Sequence, residues 1–141
     1  MANARYSDIV IGEETQEQIG EKFNETVVDL SFPVVKSMLS DHHRKITNEM
    51  IYDAAYELMF DGEFGDYSTC ADMITLLAID RRVDTYDFLS ELVRMADKGQ
   101  ICYDSVDVVR LVLKYDLVKI KLTQDQVTEL LDRLEKARIE D

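Results

Sequence analysis

Carboxylates are the reactive groups this chain supplies in quantity, with 29 Asp and Glu against 16 Lys and Arg and a formal net charge of -13. Paired carboxylates perform acid-base catalysis when their surroundings hold them in different protonation states. Among 29 acids, pairs can be drawn almost anywhere, so pairing alone specifies no reaction. Their distribution says more. Between Lys45 and Arg81 there is no Lys, Arg or His, while Glu49, Asp53, Glu57, Asp61, Glu63, Asp66, Asp72 and Asp80 supply eight negative charges. The chemistry of such a stretch is recognition: it attracts basic partners and repels nucleic acid and anionic lipid at long range, as does the sequence pI near 4.5.

Two short motifs carry metal-binding letters. Asp41-His42-His43 resembles the signature of a phosphodiesterase family that binds divalent metal. That site needs further aspartates and histidines on a parallel sheet, and these are the only two histidines, in a chain without alternating strands and helices. A polar connection between helices accounts for the same residues. Residues 61–72 place Asp61, Glu63 and Asp72 at the first, third and twelfth positions of a calcium loop. Asp66 stands where the sharp turn wants glycine, however, and Asp72 where a longer glutamate gives two oxygens. A solvated turn with helix caps is the expectation there, and no metal or other cofactor is assigned. Cys70 and Cys102 have no histidine nearby in sequence and read as structural thiols. The five scattered glycines form no phosphate loop.

The elements that position these groups read as helices. Acids at Glu13, Glu14 and Glu17 suit a helix start, and Ile19, Phe23, Val27 and Leu30 follow at steps of three and four. Pro33 fits the first turn of a second helix carrying Val34, Val35, Met38 and Leu39. Thr47 caps a third, with Ile46 and Ile51 as its hydrophobic staple and Ile51, Ala54, Ala55, Leu58 and Met59 as its core face. Gly62 and Gly65 end it, and Ser68 or Thr69 restarts the chain into a helix through Met73, Ile74 and Leu77. Asp84 caps the next, Asp104 or Ser105 the one after, and Thr123 with Gln126 forms a capping box for the last. The valines between 106 and 112 leave a strand as an alternative there, and Val118 to Leu122 alternate as a strand would, over a run too short to outvote the helical context.

These signals predict an all-α domain, a compact bundle or array of six to seven short antiparallel helices over 13–141. Residues 1–12, with apolar Ile9, Val10 and Ile11, form a tail, short extended segment or docking segment. No apolar run approaches the ~20 residues that span a bilayer, and the amino terminus lacks the basic-then-apolar pattern of an export signal. A cytoplasmic location without membrane insertion is expected.

Function follows from the charge pattern. Like charges at i and i+4 cost a helix roughly 0.2 to 0.5 kcal/mol per pair, and Glu49, Asp53 and Glu57 make two such pairs without a base between them. Aromatic residues are interleaved with the acids, and of these Phe60 is expected in the core. The expected partner-binding surface is Glu49, Asp53, Tyr56, Glu57, Asp61, Glu63, Phe64, Asp66, Tyr67 and Asp72. One helical row rises about 6 Å per acid, too sparse by itself to imitate duplex DNA with its charge every ~1.7 Å, so imitation requires a second row. The expectation is a non-enzymatic regulator or inhibitor of a basic protein, in its sharpest form occupying the groove of a DNA- or RNA-binding protein. An adaptor that self-associates as a homo-oligomer through apolar helix faces is the alternative.

Overall fold

A computed structural model describes residues 15–41, 45–61, 66–97 and 103–140, and the described residues form eight α-helices without a strand. They are α1 (Gln16–Val28), α2 (Phe32–Asp41), α3 (Asn48–Asp61), α4 (Tyr67–Ala78), α5 (Thr85–Asp97), α6 (Tyr103–Val112), α7 (Asp116–Lys119) and α8 (Gln124–Glu140). The segment 1–12, the histidines of the Asp-His-His triplet and the glycines of the acidic turn lie outside the described residues.

Local capping chemistry sets most of the helix starts. Thr15 and Gln18 form a reciprocal box at α1, in which the Gln18 N–H donates to Thr15 Oγ1 and the Thr15 N–H donates to Gln18 Oε1. The same box recurs at α8, where the Gln126 N–H donates to Thr123 Oγ1 at 3.1 Å and the Thr123 N–H to Gln126 Oε1 at 2.9 Å. Thr47 accepts from the Met50 N–H at α3, and Asp84 from the Asp87 N–H at α5. Pro33 occupies the first turn of α2, where no intrahelical donor is lost. Helix α1 ends in a turn whose left-handed position is filled by Leu30, at φ 58°, rather than by glycine. The side chain of Leu30 packs against the core, a contact glycine would lack.

Three helix pairs carry the packing: α1 on α3, α4 on α6, and α5 on α8. Helix α2 lies beside α1, α6 bridges α5 and α8, and α7 rests on α4. Helix α4 is the most deeply buried, with Cys70, Ala71, Met73, Ile74, Leu77 and Ala78 all inaccessible, so Cys70 is the structural thiol expected. Polar joints tie the layers together. The Ser105 hydroxyl donates to the Met59 carbonyl, and the Thr85 hydroxyl to the Ala78 carbonyl at 2.8 Å. The Arg82 guanidinium donates to both Asp80 oxygens at 2.8 Å and to the Leu39 carbonyl at 2.7 Å, holding the α4–α5 turn against the end of α2.

Helix count, two helix starts and the place of Phe60 differ from expectation, and two stretches with a strand as alternative are helical. The described residues form eight helices, one beyond the expected range, and the short α7 covers the strand-like alternation, a run too short to outvote its helical context. The N–H groups of Lys119 and Ile120 donate to the carbonyls of Tyr115 and Asp116, and Ile120 is 76 % exposed, so alternation does not sort this segment into two faces. The valines of 106–112 are helical because Val106, Val108, Val109 and Val112 all meet the core in that form. Helix α4 starts earlier than Ser68: Asp66 is its cap, accepting from the Ser68 N–H and the Thr69 hydroxyl. Helix α6 begins at Tyr103, which places Ser105 inside it, bonded to α3. Phe60, expected in the core, is 55 % exposed, because it lies two residues past Leu58 and therefore on the opposite side of α3.

Candidate functional site

Ile19, Phe23 and Val27 bury one stripe of α1 and Ile51, Ala54 and Leu58 one stripe of α3, and these stripes bring the two helices together. Their polar shoulders then face a shared open groove of about 610 Å³. Glu17 and Glu21 line it from α1, and Glu49, Asp53 and Glu57 from α3. No described lining residue is basic. Four of the five acids are exposed and Glu57 is half-buried, so the groove presents its charge to solvent.

The rest of the lining is small, soft or aromatic. Gly20 and Met50 lie between the acids, and a Cβ at Gly20 would meet the Met50 side chain at 3.6 Å, an ordinary contact. Asn24 also lines the groove, and its Oδ1 is a buried acceptor without a hydrogen-bond partner. At the other end Tyr56 stacks on Phe60, with ring centroids 5.9 Å apart and planes at 10°. The groove therefore combines five carboxylates and an aromatic flank, both suited to a cationic group.

The residues singled out in the sequence fall in several places. Glu49, Asp53, Tyr56 and Glu57 are brought together in this groove. Asp61 is the last residue of α3, while Glu63 and Phe64 lie outside the described residues. Asp66 is committed to capping α4, and Tyr67 opens that helix with 38 % exposure. Asp72 lines a different groove, near Tyr115. Burial first, and this carboxylate second, raise the Tyr115 pKa above the usual phenol value. Tyr52 faces inward instead, edge-on to Phe88 at 5.2 Å, and burial followed by the nearby Asp87, Asp84 and Glu91 raises its pKa.

Sequence reasoning missed Glu17, Glu21 and Asn24 as members of the site. A local signal existed, since Glu17, Gly20, Glu21 and Asn24 recur at helical spacing on a polar stripe with a gap at the glycine. The pairing of α1 with α3 is what turns that stripe into a wall, and no local pattern encodes it.

No three groups of the metal-ligating kind converge among the described residues, and no described helix is long and apolar enough to cross a membrane. Compared with protein-family models, with curated proteins and with solved structures, the chain has no match in any of the three.

Proposed function

We propose that this chain is a non-enzymatic interaction module that receives a basic segment of a protein partner in the acidic groove between α1 and α3, and so regulates or inhibits that partner. The observation that carries this reading is the convergence of five carboxylates from two helices on one groove. An inserted Arg or Lys side chain would find a negative field there and carboxylate oxygens for its N–H donors.

In its sharper form, the partner is a DNA- or RNA-binding protein whose groove is filled by these acids. A single row on α3 is too sparse for that. Two rows improve the match: Glu49 to Glu57 spans eight residues, about 12 Å of helix, so five charges along it average one per ~2.4 Å, against ~1.7 Å for duplex DNA.

The test compares the wild-type chain with a Glu21→Gln/Glu49→Gln/Asp53→Asn variant as bait for a cell extract at low salt, eluted by a salt gradient. The expected result is a basic, nucleic-acid-binding protein retained by the wild type, released by moderate salt and not captured by the variant, while circular dichroism shows both baits equally helical. Equal capture by both baits would overturn the reading.

A second reading has its own observation. Val34, Leu117 and Ile120 are exposed apolar residues, at 38 %, 55 % and 76 %, as an adaptor that self-associates through apolar faces requires. That reading predicts a mass above 16.3 kDa that rises with concentration and does not respond to the three acid substitutions.

A further inference from the structure

A second groove, of about 410 Å³, lies between α2, α4 and the α7 turn. Its character is opposite to that of the acidic one. Phe32, Leu76, Ile79 and Leu117 make its walls, and among its described lining residues the charged ones are one ammonium, Lys36, and one carboxylate, Asp72. In a chain of net charge -13, this lining is electrically balanced.

Thr75 supplies the independent observation. It lines this groove, is only 4 % exposed, and its hydroxyl has no hydrogen-bond partner. Buried hydroxyls are almost always bonded, and a threonine within a helix ordinarily finds a carbonyl of the preceding turn. That unused donor and acceptor belongs to a residue lining an apolar, charge-balanced concavity, and a turn of the Thr75 side chain about its first torsion is what brings the covered hydroxyl toward it. Volume, apolar walls and one placed polar group are the ordinary attributes of a small-molecule site.

We infer that the α2–α4–α7 groove binds a small, uncharged, largely apolar molecule whose single hydrogen-bonding group pairs with the Thr75 hydroxyl once that side chain rotates to meet it. Charge balance selects against ions, which the acidic groove would sort instead. The walls select an apolar body, and Thr75 selects one polar atom on it. This site is separate from the proposed partner surface and stands or falls independently of it.

The test uses N-phenyl-1-naphthylamine, an uncharged dye with one N–H donor, and 1-benzylnaphthalene, in which a methylene replaces that N–H. Titration of the full chain is expected to give saturable, one-to-one dye binding. Thr75→Val is expected to weaken the dye about fivefold, the usual worth of one net hydrogen bond, and to leave 1-benzylnaphthalene unchanged. The same substitution removes an orphaned hydroxyl, so the free variant should melt a few degrees higher than the wild type, which shows that it folds. Leu117→Glu, at an exposed wall position, is expected to weaken both ligands more than tenfold. Non-saturable binding, indifference of the dye to either substitution, or exclusion of the dye as the protein self-associates would each overturn the inference.

Discussion

Asp53→Asn separates repulsion within the acidic groove from every other role of the residue. Asp53 is the sixth residue of α3, beyond the first turn, where the helix dipole acts most strongly, and its side chain is exposed. Asn has nearly the same volume and helix propensity, so the substitution changes little except charge. It removes two like-charge pairs, with Glu49 and with Glu57, worth roughly 0.2 to 0.5 kcal/mol each, and the expected gain is about 0.4 to 1 kcal/mol. For a chain of 141 residues, an unfolding entropy of about 0.3 kcal/mol/K converts this into a Tm higher by roughly 1 to 3 °C. Melts followed by circular dichroism at low salt and in 1 M NaCl provide the assay. At 1 M the screening length falls to about 3 Å and the difference should vanish. A variant that melts at or below the wild type in low salt, or a gain that persists in 1 M salt, would refute the repulsion argument. Binding completes the diagnosis: higher stability with weaker capture of a basic partner marks Asp53 as part of a binding surface, and higher stability with unchanged capture marks it as a solubilising charge.

Other parts of the molecule give further expectations. Gly20→Ala should stabilise the protein by about 0.5 to 1 kcal/mol in denaturant titration, because the added Cβ finds ordinary contact with Met50 and the helix loses its most flexible residue. Arg82→Met should cost about 3 to 5 kcal/mol, since Arg82 and Asp80 are only 14 % and 12 % exposed and the change strands a carboxylate, and Asp80→Leu in the same chain should recover part of the loss. Tyr52 and Tyr115 have raised pKa values, chiefly from burial, so the native state holds their protons more tightly than the unfolded chain does. Their stabilisation is complete below about pH 10 and is lost as pH rises through the folded values, so denaturant midpoints should fall above pH 10 and fall less in a Tyr52→Phe variant.

Local chemistry was legible in the sequence and long-range pairing was not. Thr47, Asp84 and Thr123 each cap the helix expected of them, because a cap is decided by a hydroxyl or carboxylate within three residues of the N–H it accepts from. The buried stripe of α3 was equally readable from its spacing. The phase of Phe60, two residues past the buried Leu58, already puts it on the opposite side of α3, against the expectation of a core position. The acidic site was half legible: Glu49, Asp53 and Glu57 share a face by periodicity alone, whereas Glu17 and Glu21 join them only because α1 packs on α3. Asp66 and Asp72 were grouped with them by proximity in sequence. Chain order does not say in which direction α4 leaves the turn, and the fold commits one to a cap and the other to a separate groove.

The magnitudes also explain why the groove can be tested by neutralisation without losing the fold. Ile19, Phe23 and Val27 are fully buried on α1, and Ile51, Ala54 and Leu58 almost fully on α3. Each large apolar side chain among them contributes about 1.5 to 3 kcal/mol on burial, so the seam exceeds the ~1 kcal/mol of repulsion along α3 several-fold. The apolar seam therefore outweighs the repulsion along α3, and neutralising Glu49 and Asp53 leaves it in place while relaxing that row. A basic partner acts on the same imbalance from the other side: its cations relieve the repulsion that the free protein carries, so binding should raise the melting temperature at low salt beyond what Asp53→Asn alone achieves. If saturating partner instead leaves the low-salt melt unchanged, the contact lies off the groove and the five acids are not its site.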